Sequence, residues 1–246
     1  MTKKDKIIAS LIATVIMLAV FYLYYRDMNK ELRIPVNTPN EKITYVSLGD
    51  SLTSGSGADN YETGTYPYML SQKMGDGTKE VIFKNLGIAG ITSKGLIEQE
   101  LDKAIEAQPD IITLLIGVND IHHRVSAKEF KNNYQTIINK LRINTKAEIY
   151  LIDIPFIGYT STEYSASDPY YDTTTKEFNK IIKELSAGDK LHYVSLYTPT
   201  KVLFMTSGDH YWKDSFHPST KGYRIWADTI LISVSNKKLE KFKPVE

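Results

Sequence analysis

From residue 43 onward, short β-rich runs alternate with stretches of helical spacing, and no other feature of the chain narrows its fold as much. The strand candidates are Ile43–Leu48 (ITYVSL), Val81–Asn85, Ile111–Ile116 (IITLLI), Glu148–Ile154 (EIYLIDI) and His192–Leu196. Several are apolar on both faces, the pattern of a parallel sheet covered by helices on each side. Between them, Leu96, Leu101 and Ile105 mark one helix, and Phe130, Tyr134, Ile137, Ile138 and Leu141 mark another. That second helix opens on Ser126-Ala-Lys-Glu129, a capping box whose two side chains satisfy free amides of the first turn. A third runs through Phe178, Ile181, Ile182 and Leu185, and a last from about Ser219 to Val234. The order βαβαβαβαβα predicts an α/β fold, a doubly wound, flavodoxin-like α/β/α sandwich around a parallel five-stranded sheet.

Composition removes several function classes. The 246 residues contain no cysteine, so a disulfide framework, a thiolate nucleophile and a cysteine-based metal site are all excluded. With 30 basic and 29 acidic residues, the chain lacks the charge excess expected of a nucleic-acid binder. The balance conceals a division, however. Residues 1–33 hold Lys3, Lys4, Lys6, Arg26, Lys30 and Arg33 against Asp5, Asp27 and Glu31, which leaves the rest of the chain net acidic.

Within that basic stretch, Ile7–Tyr25 is interrupted only by Ser10 and Thr14, apart from its terminal tyrosines. As a helix it spans about 28 Å, close to the hydrocarbon thickness of a bilayer. Tyr22, Tyr24 and Tyr25 suit an interfacial aromatic belt. A cleaved signal peptide needs small residues after the apolar run, and Tyr-Leu-Tyr-Tyr-Arg-Asp offers none. The expectation is therefore a transmembrane anchor over residues 1–26, a polar linker over 27–42, a folded domain over 43–236 and a charged tail over 237–246. Basic residues on both sides of the span leave its orientation undecided by charge.

In doubly wound sheets, ligands bind beyond the carboxyl ends of the strands. Each of the first three strands runs into a polar, glycine-containing loop: Gly49-Asp-Ser51-Leu-Thr-Ser-Gly55, Gly87-Ile-Ala-Gly90-Ile-Thr92 and Gly117-Val-Asn119-Asp120. Ser51, just past a buried strand, is placed to present its hydroxyl to a cleft. Most Gly-Asp-Ser tripeptides are plain turns, and a serine needs a base to act as a nucleophile at neutral pH. Five histidines are available. His192 lies inside a strand candidate, and His122 and His123 read as loop residues. His217 differs, because Asp214 stands three residues upstream, one turn away, where it can hold the imidazole Nδ1–H. Asp209-His210 is a second acid–imidazole candidate, and spacing separates the two pairs only modestly. Donors for a developing oxyanion are available from the Ser51 and Gly90 amides and the Asn119 side chain. Taken singly, Gly90 is also a turn glycine and Asn119 a loop cap.

The ensemble resembles the SGNH (GDSL-type) hydrolase family. Gly49–Gly55, Asn85-x-Gly87-x-x-Gly90-x-Thr92, Gly117-x-Asn119-Asp120 and Asp214-x-x-His217-Pro218 stand in the order of that family's four sequence blocks. The resemblance covers about residues 43–234. It implies Ser51 as nucleophile and first oxyanion donor, Gly90 and Asn119 as the other donors, His217 as base and Asp214 as its orienting acid. It implies acyl transfer without metal or organic cofactor. Together with the apolar segment, it is similar to the membrane-attached or exported members of Gram-positive bacteria, with a cell-membrane location and the catalytic domain outside the cell.

Substrate is less legible. The long Tyr-, Ser- and Thr-rich segment 156–171 and the aromatics Phe204, Tyr211 and Trp212 could wall an acyl or sugar pocket, or simply pack. The expected activity is that of a lipase- or lysophospholipase-like esterase. The alternatives are a carbohydrate O-deacetylase of the cell envelope and a non-catalytic anchored module that binds glycan or lipid. The partners expected are an ester substrate and the membrane, with no nucleic acid and no obligate protein partner.

Overall fold

The computed structural model describes residues 40–75, 77–156, 169–206 and 208–240, together with Ala19, Arg33, Ile34 and Val36. The chain divides into two compact units, Met1–Arg33 and Ile34–Glu246. Apart from Ala19, the expected anchor Ile7–Tyr25 lies outside the described residues. Among the described residues, no helix is long and apolar enough to cross a membrane.

The second unit is built on five strands: β1 (Lys42–Gly49), β2 (Glu80–Asn85), β3 (Ile111–Leu115), β4 (Glu148–Ile152) and β5 (Leu191–Val194). All neighbours pair in parallel, in the order β2-β1-β3-β4-β5. The chain thus leaves β1 toward one side, returns past it for β3 and continues toward the other. That reversal opens a crevice between the carboxyl ends of β1 and β3. Every residue of β3 is buried, as are six of the eight in β1, which explains why these runs are apolar on both faces.

The helices are α1 (Ser51–Ser54), α2 (Tyr66–Ser71), α3 (Ser93–Gln99), α4 (Leu101–Glu106), α5 (Val118–His122), α6 (Ala127–Asn144), α7 (Pro169–Leu185), α8 (Tyr197–Thr206) and α9 (Thr220–Glu240). Seven of them gather in two groups, α3, α4, α6 and α7 in one and α2, α8 and α9 in the other. Each group has an aromatic centre. Phe130 and Phe178 stack at 4.0 Å between α6 and α7, while Tyr66, Tyr223 and Trp226 join α2 to α9. The Ser126 half of the expected capping box opens α6, where the Glu129 amide donates to the Ser126 hydroxyl.

Several boundaries differ from the sequence expectation. The strand expected to reach Ile154 ends at Ile152, because the Asn179 side chain bonds both the amide and the carbonyl of Ile154. The helical stretch marked by Leu96, Leu101 and Ile105 divides at Glu100, whose side chain turns inward. Within the expected linker, Ile34 is buried and bridges Met74, and Lys42 already belongs to β1. The last helix continues to Glu240, through the start of the expected tail. The expected loop 156–171 is described only at its ends: Phe156 is buried and Pro169–Tyr171 open α7. The rest of it lies outside the described residues.

Phe178 is fully buried against the Phe130 ring. Phe178→Ala should therefore lower the unfolding free energy by about 3–5 kcal/mol, read as a fall in the urea midpoint at constant m-value.

Candidate active site

The first of the three loops holds its serine by backbone constraint. Gly49 closes β1 at a φ of 153°, where an added Cβ would stand 2.1 Å from the Leu115 carbonyl oxygen. A side chain is excluded there by both conformation and space. Asp50 then caps α1, its Oδ1 accepting from the Leu52 amide at 3.0 Å. Ser51 is the first residue of that short helix, so its N–H has no acceptor within the helix. The side chain is only 6% exposed.

His217 arrives from the far end of the chain on the loop before α9. Trp212 and His217 are joined by a backbone bond, and Tyr211 bridges Pro218, so the loop closes on itself. At its tip, Asp214 Oδ1 accepts the amides of Phe216 and His217, both at 2.9 Å. Ser215 takes a positive φ of 56°, which turns the chain sharply enough to bring imidazole and carboxylate together. The His217 Nδ1–H donates to Asp214 Oδ2 at 2.6 Å. With that nitrogen protonated, Nε2 accepts from the Ser51 hydroxyl at 2.9 Å. Burial raises the Asp214 pKa, but the His217 hydrogen bond and the two amides outweigh it and hold the carboxyl below its ordinary value. The carboxylate is thus ionised at neutral pH, which fixes the tautomer and orientation of the imidazole. Its contribution to stability is present above the ordinary carboxylate range and is lost as pH falls through the lowered folded value.

The other two loops supply the donor candidates. Gly90 adopts a φ of 84° with open space where a Cβ would lie, so conformation alone calls for glycine. Asn119, near the start of α5, donates one amide proton to the Ile91 carbonyl at 2.9 Å. This ties the third loop to the second and leaves the other Nδ2–H to donate elsewhere. Asp120 accepts the Ser93 amide and hydroxyl, anchoring α5 to the start of α3.

The remaining histidines stand elsewhere. His192 pairs with Glu148 across β5 and β4, and His122 and His123 are exposed beside one another. Asp209 meets Lys221, while His210 is buried and its carbonyl accepts the Ser219 amide. The pair Asp209-His210 therefore does not form the relay. Among the described residues, no cluster of three or more histidines and carboxylates is arranged to hold a metal ion.

Two supporting residues were assigned no role from sequence. Asn85 accepts from Ser47 and Gly87 and donates to the Thr53 carbonyl, fastening α1 to the end of β2. Its position in the Asn85-x-Gly87 block was the available signal. Glu100, fully buried, accepts the Gly49 amide at 3.0 Å. No local pattern announces this contact, since 51 residues separate the pair.

Gly57 is a close approach between the serine segment and the histidine loop. At its φ of 91°, a Cβ would meet the Pro218 carbonyl at 2.5 Å and the His217 Cβ at 2.9 Å. Gly57→Ala should push His217 away from Ser51. A loss of ester turnover on the order of 100-fold is expected, with a lowered melting temperature, both measurable on one preparation.

The model of the GDSL-like lipase/acylhydrolase family matches residues 47–225. Over 230 residues the chain is 24% identical to an acetylxylan esterase of Xylanibacter ruminicola, covering 85% of this chain and 46% of that protein. It is 23% identical to the Bacillus subtilis protein YpmR, covering 82% and 85% respectively. Among solved structures, the acetylxylan esterase Axe2 of Geobacillus stearothermophilus superposes with a TM-score of 0.63 at 19% identity, covering 82% of this chain and 96% of that one. A lipase from a goat rumen metagenome gives 0.62 at 20% identity, covering 78% and 98%. These structural likenesses show a shared fold. With its four blocks gathered at one sheet edge and the family model spanning most of its length, the chain belongs to the GDSL-like lipase/acylhydrolase family.

Proposed function

We propose that the protein is a serine ester hydrolase that works through an acyl-enzyme on Ser51. The observation that carries this reading is the continuous relay from Asp214 through His217 to the Ser51 hydroxyl. Ser51 attacks the ester carbonyl as His217 Nε2 takes its proton, and the Asp214 carboxylate stabilises the imidazolium. The Ser51 and Gly90 amides and the free Asn119 amide proton receive the oxyanion. His217 then protonates the leaving alcohol. Water, deprotonated by the same nitrogen, releases the acyl group.

Among substrates, we favour short acyl esters on carbohydrate over long-chain lipid esters. The acetylxylan esterases among its relatives support this choice, as does Trp212, 44% exposed on the loop that carries His217. Exposed tryptophan faces suit sugar rings, being flat, apolar and edged by a polar N–H. The lipase likeness favours the second reading, a long-chain ester. The apolar run Ile7–Tyr25 supports a single-pass anchor in the cell membrane. The enzyme then acts on the outer face, as exported Gram-positive members do.

Ser51→Ala should reduce p-nitrophenyl acetate hydrolysis by at least 1000-fold in a folded preparation, and parental activity would overturn the assignment. Asn119→Ala should cost on the order of 100- to 1000-fold in kcat. A panel of acetyl to palmitoyl esters should show activity falling steeply beyond short chains. A maximum at long chains would replace the glycan ester with a lipid one.

A further inference from the structure

Behind the serine turn lies a buried acid cluster that the relay does not use. Asp50 is 1% exposed and Glu100 fully buried. Each carboxyl has one oxygen engaged: Asp50 Oδ1 with the Leu52 amide, and Glu100 Oε2 with the Gly49 amide. The second oxygens, Asp50 Oδ2 and Glu100 Oε1, are buried without a hydrogen-bond partner. Two buried carboxylates with orphaned oxygens carry a heavy desolvation cost, which protonation removes.

The position of Glu100 explains why an acid stands there at all. Beyond the last pair, Asn85 with Ser47, the Leu86 and Ile88 amides still donate to the Ser47 and Gly49 carbonyls, while the Gly49 amide donates to Glu100. The α3–α4 junction breaks at this residue. The backbone two residues before the nucleophile is therefore held by a carboxyl side chain.

We propose that Glu100 is a positioning residue for Ser51: it holds Gly49 while it and Asp50 together carry at most one negative charge, and a second charge loosens the serine turn. The inference rests on the proposed role of Ser51. Burial pushes Asp50 up to about 7 and Glu100 to about 8, and the charge of Asp50 adds to the rise at Glu100. Asp120 on α5 raises Asp50 further. On α4, Lys103 lowers Glu100, but by less than burial raises it. Tyr66 on α2 and Tyr223 on α9 are pushed up by burial first and by the charge of Asp50 after it, with Glu100 adding to the rise at Tyr66. The sign follows. Because the folded state binds more protons than the unfolded chain, stability declines as pH rises from the ordinary carboxylate range through about 8. The two titrations belong to the pair rather than to either residue.

Glutamine is the isostere of the protonated acid, and its carbonyl can accept the Gly49 amide. The test is the pH–rate profile of kcat for p-nitrophenyl acetate, with the full-length chain in detergent, for the parent, Glu100→Gln and Glu100→Ala. The parent should lose activity above pH 8. Glu100→Gln should keep its neutral-pH activity on an alkaline plateau extending to about pH 9.5. Glu100→Ala should lose on the order of 10- to 100-fold in kcat across the range, with KM little changed. A parent profile flat from pH 7 to pH 10 overturns the proposal without any variant. So does a Glu100→Gln profile with the parental alkaline limb, or an alanine variant with parental kcat. A parent inactive at every pH would end the reading of Ser51 itself and this inference with it.

Discussion

The hydrogen bond between Ser51 and His217 joins residues separated by 166 positions in sequence, and most of the structure serves to make that meeting reproducible. Neither side chain can set the distance by itself. Ser51 is fixed because β1 is buried among its neighbours and ends in a glycine with no room for a side chain. His217 is fixed because its loop is closed by backbone bonds and its imidazole is gripped by Asp214. Gly57 brings the two pieces into contact at a separation that only a missing Cβ permits.

The polar groups behind the relay share one logic. Where a parallel sheet ends, its last amides lose their ladder partners and must find others. Here the side chains of Glu100, Asn85 and Asn179 take that role at the ends of β1, β2 and β4. Asn119 and Asp120 extend the same scheme from α5 to the second loop and to α3. A site assembled from several loops gains its rigidity from these cross-connections rather than from any one loop.

The architecture was legible because fully buried parallel strands must be apolar on both faces, and the buried runs of β1 and β3 carry that signature with only Ser47 and Thr113 as polar members. The approach of Asp214 to His217 was legible for a similar reason, since a spacing of three residues allows a carboxylate to reach an imidazole across one turn. Spacing alone separates that pair from Asp209-His210 only modestly; the four-block resemblance implied Asp214 and His217, and the packing of the final loop brings that imidazole to Ser51. The contact of Glu100 with Gly49 and the break it makes in the α3–α4 stretch were not legible. Helical periodicity records which face is buried, not that one acid on that face has an amide to satisfy. The helix α8 over Tyr197–Thr206 escaped notice because its sequence lacks a clean apolar stripe.

The central claim is that a single hydroxyl among the chain's many serines is activated by this relay. Reaction of the full-length protein with a fluorophosphonate, followed by peptide mass analysis, tests it most directly. One adduct per chain, located on Ser51 and suppressed when His217 is replaced by alanine, is the predicted result. An adduct on another serine, or none on a folded protein that still hydrolyses esters, would contradict it.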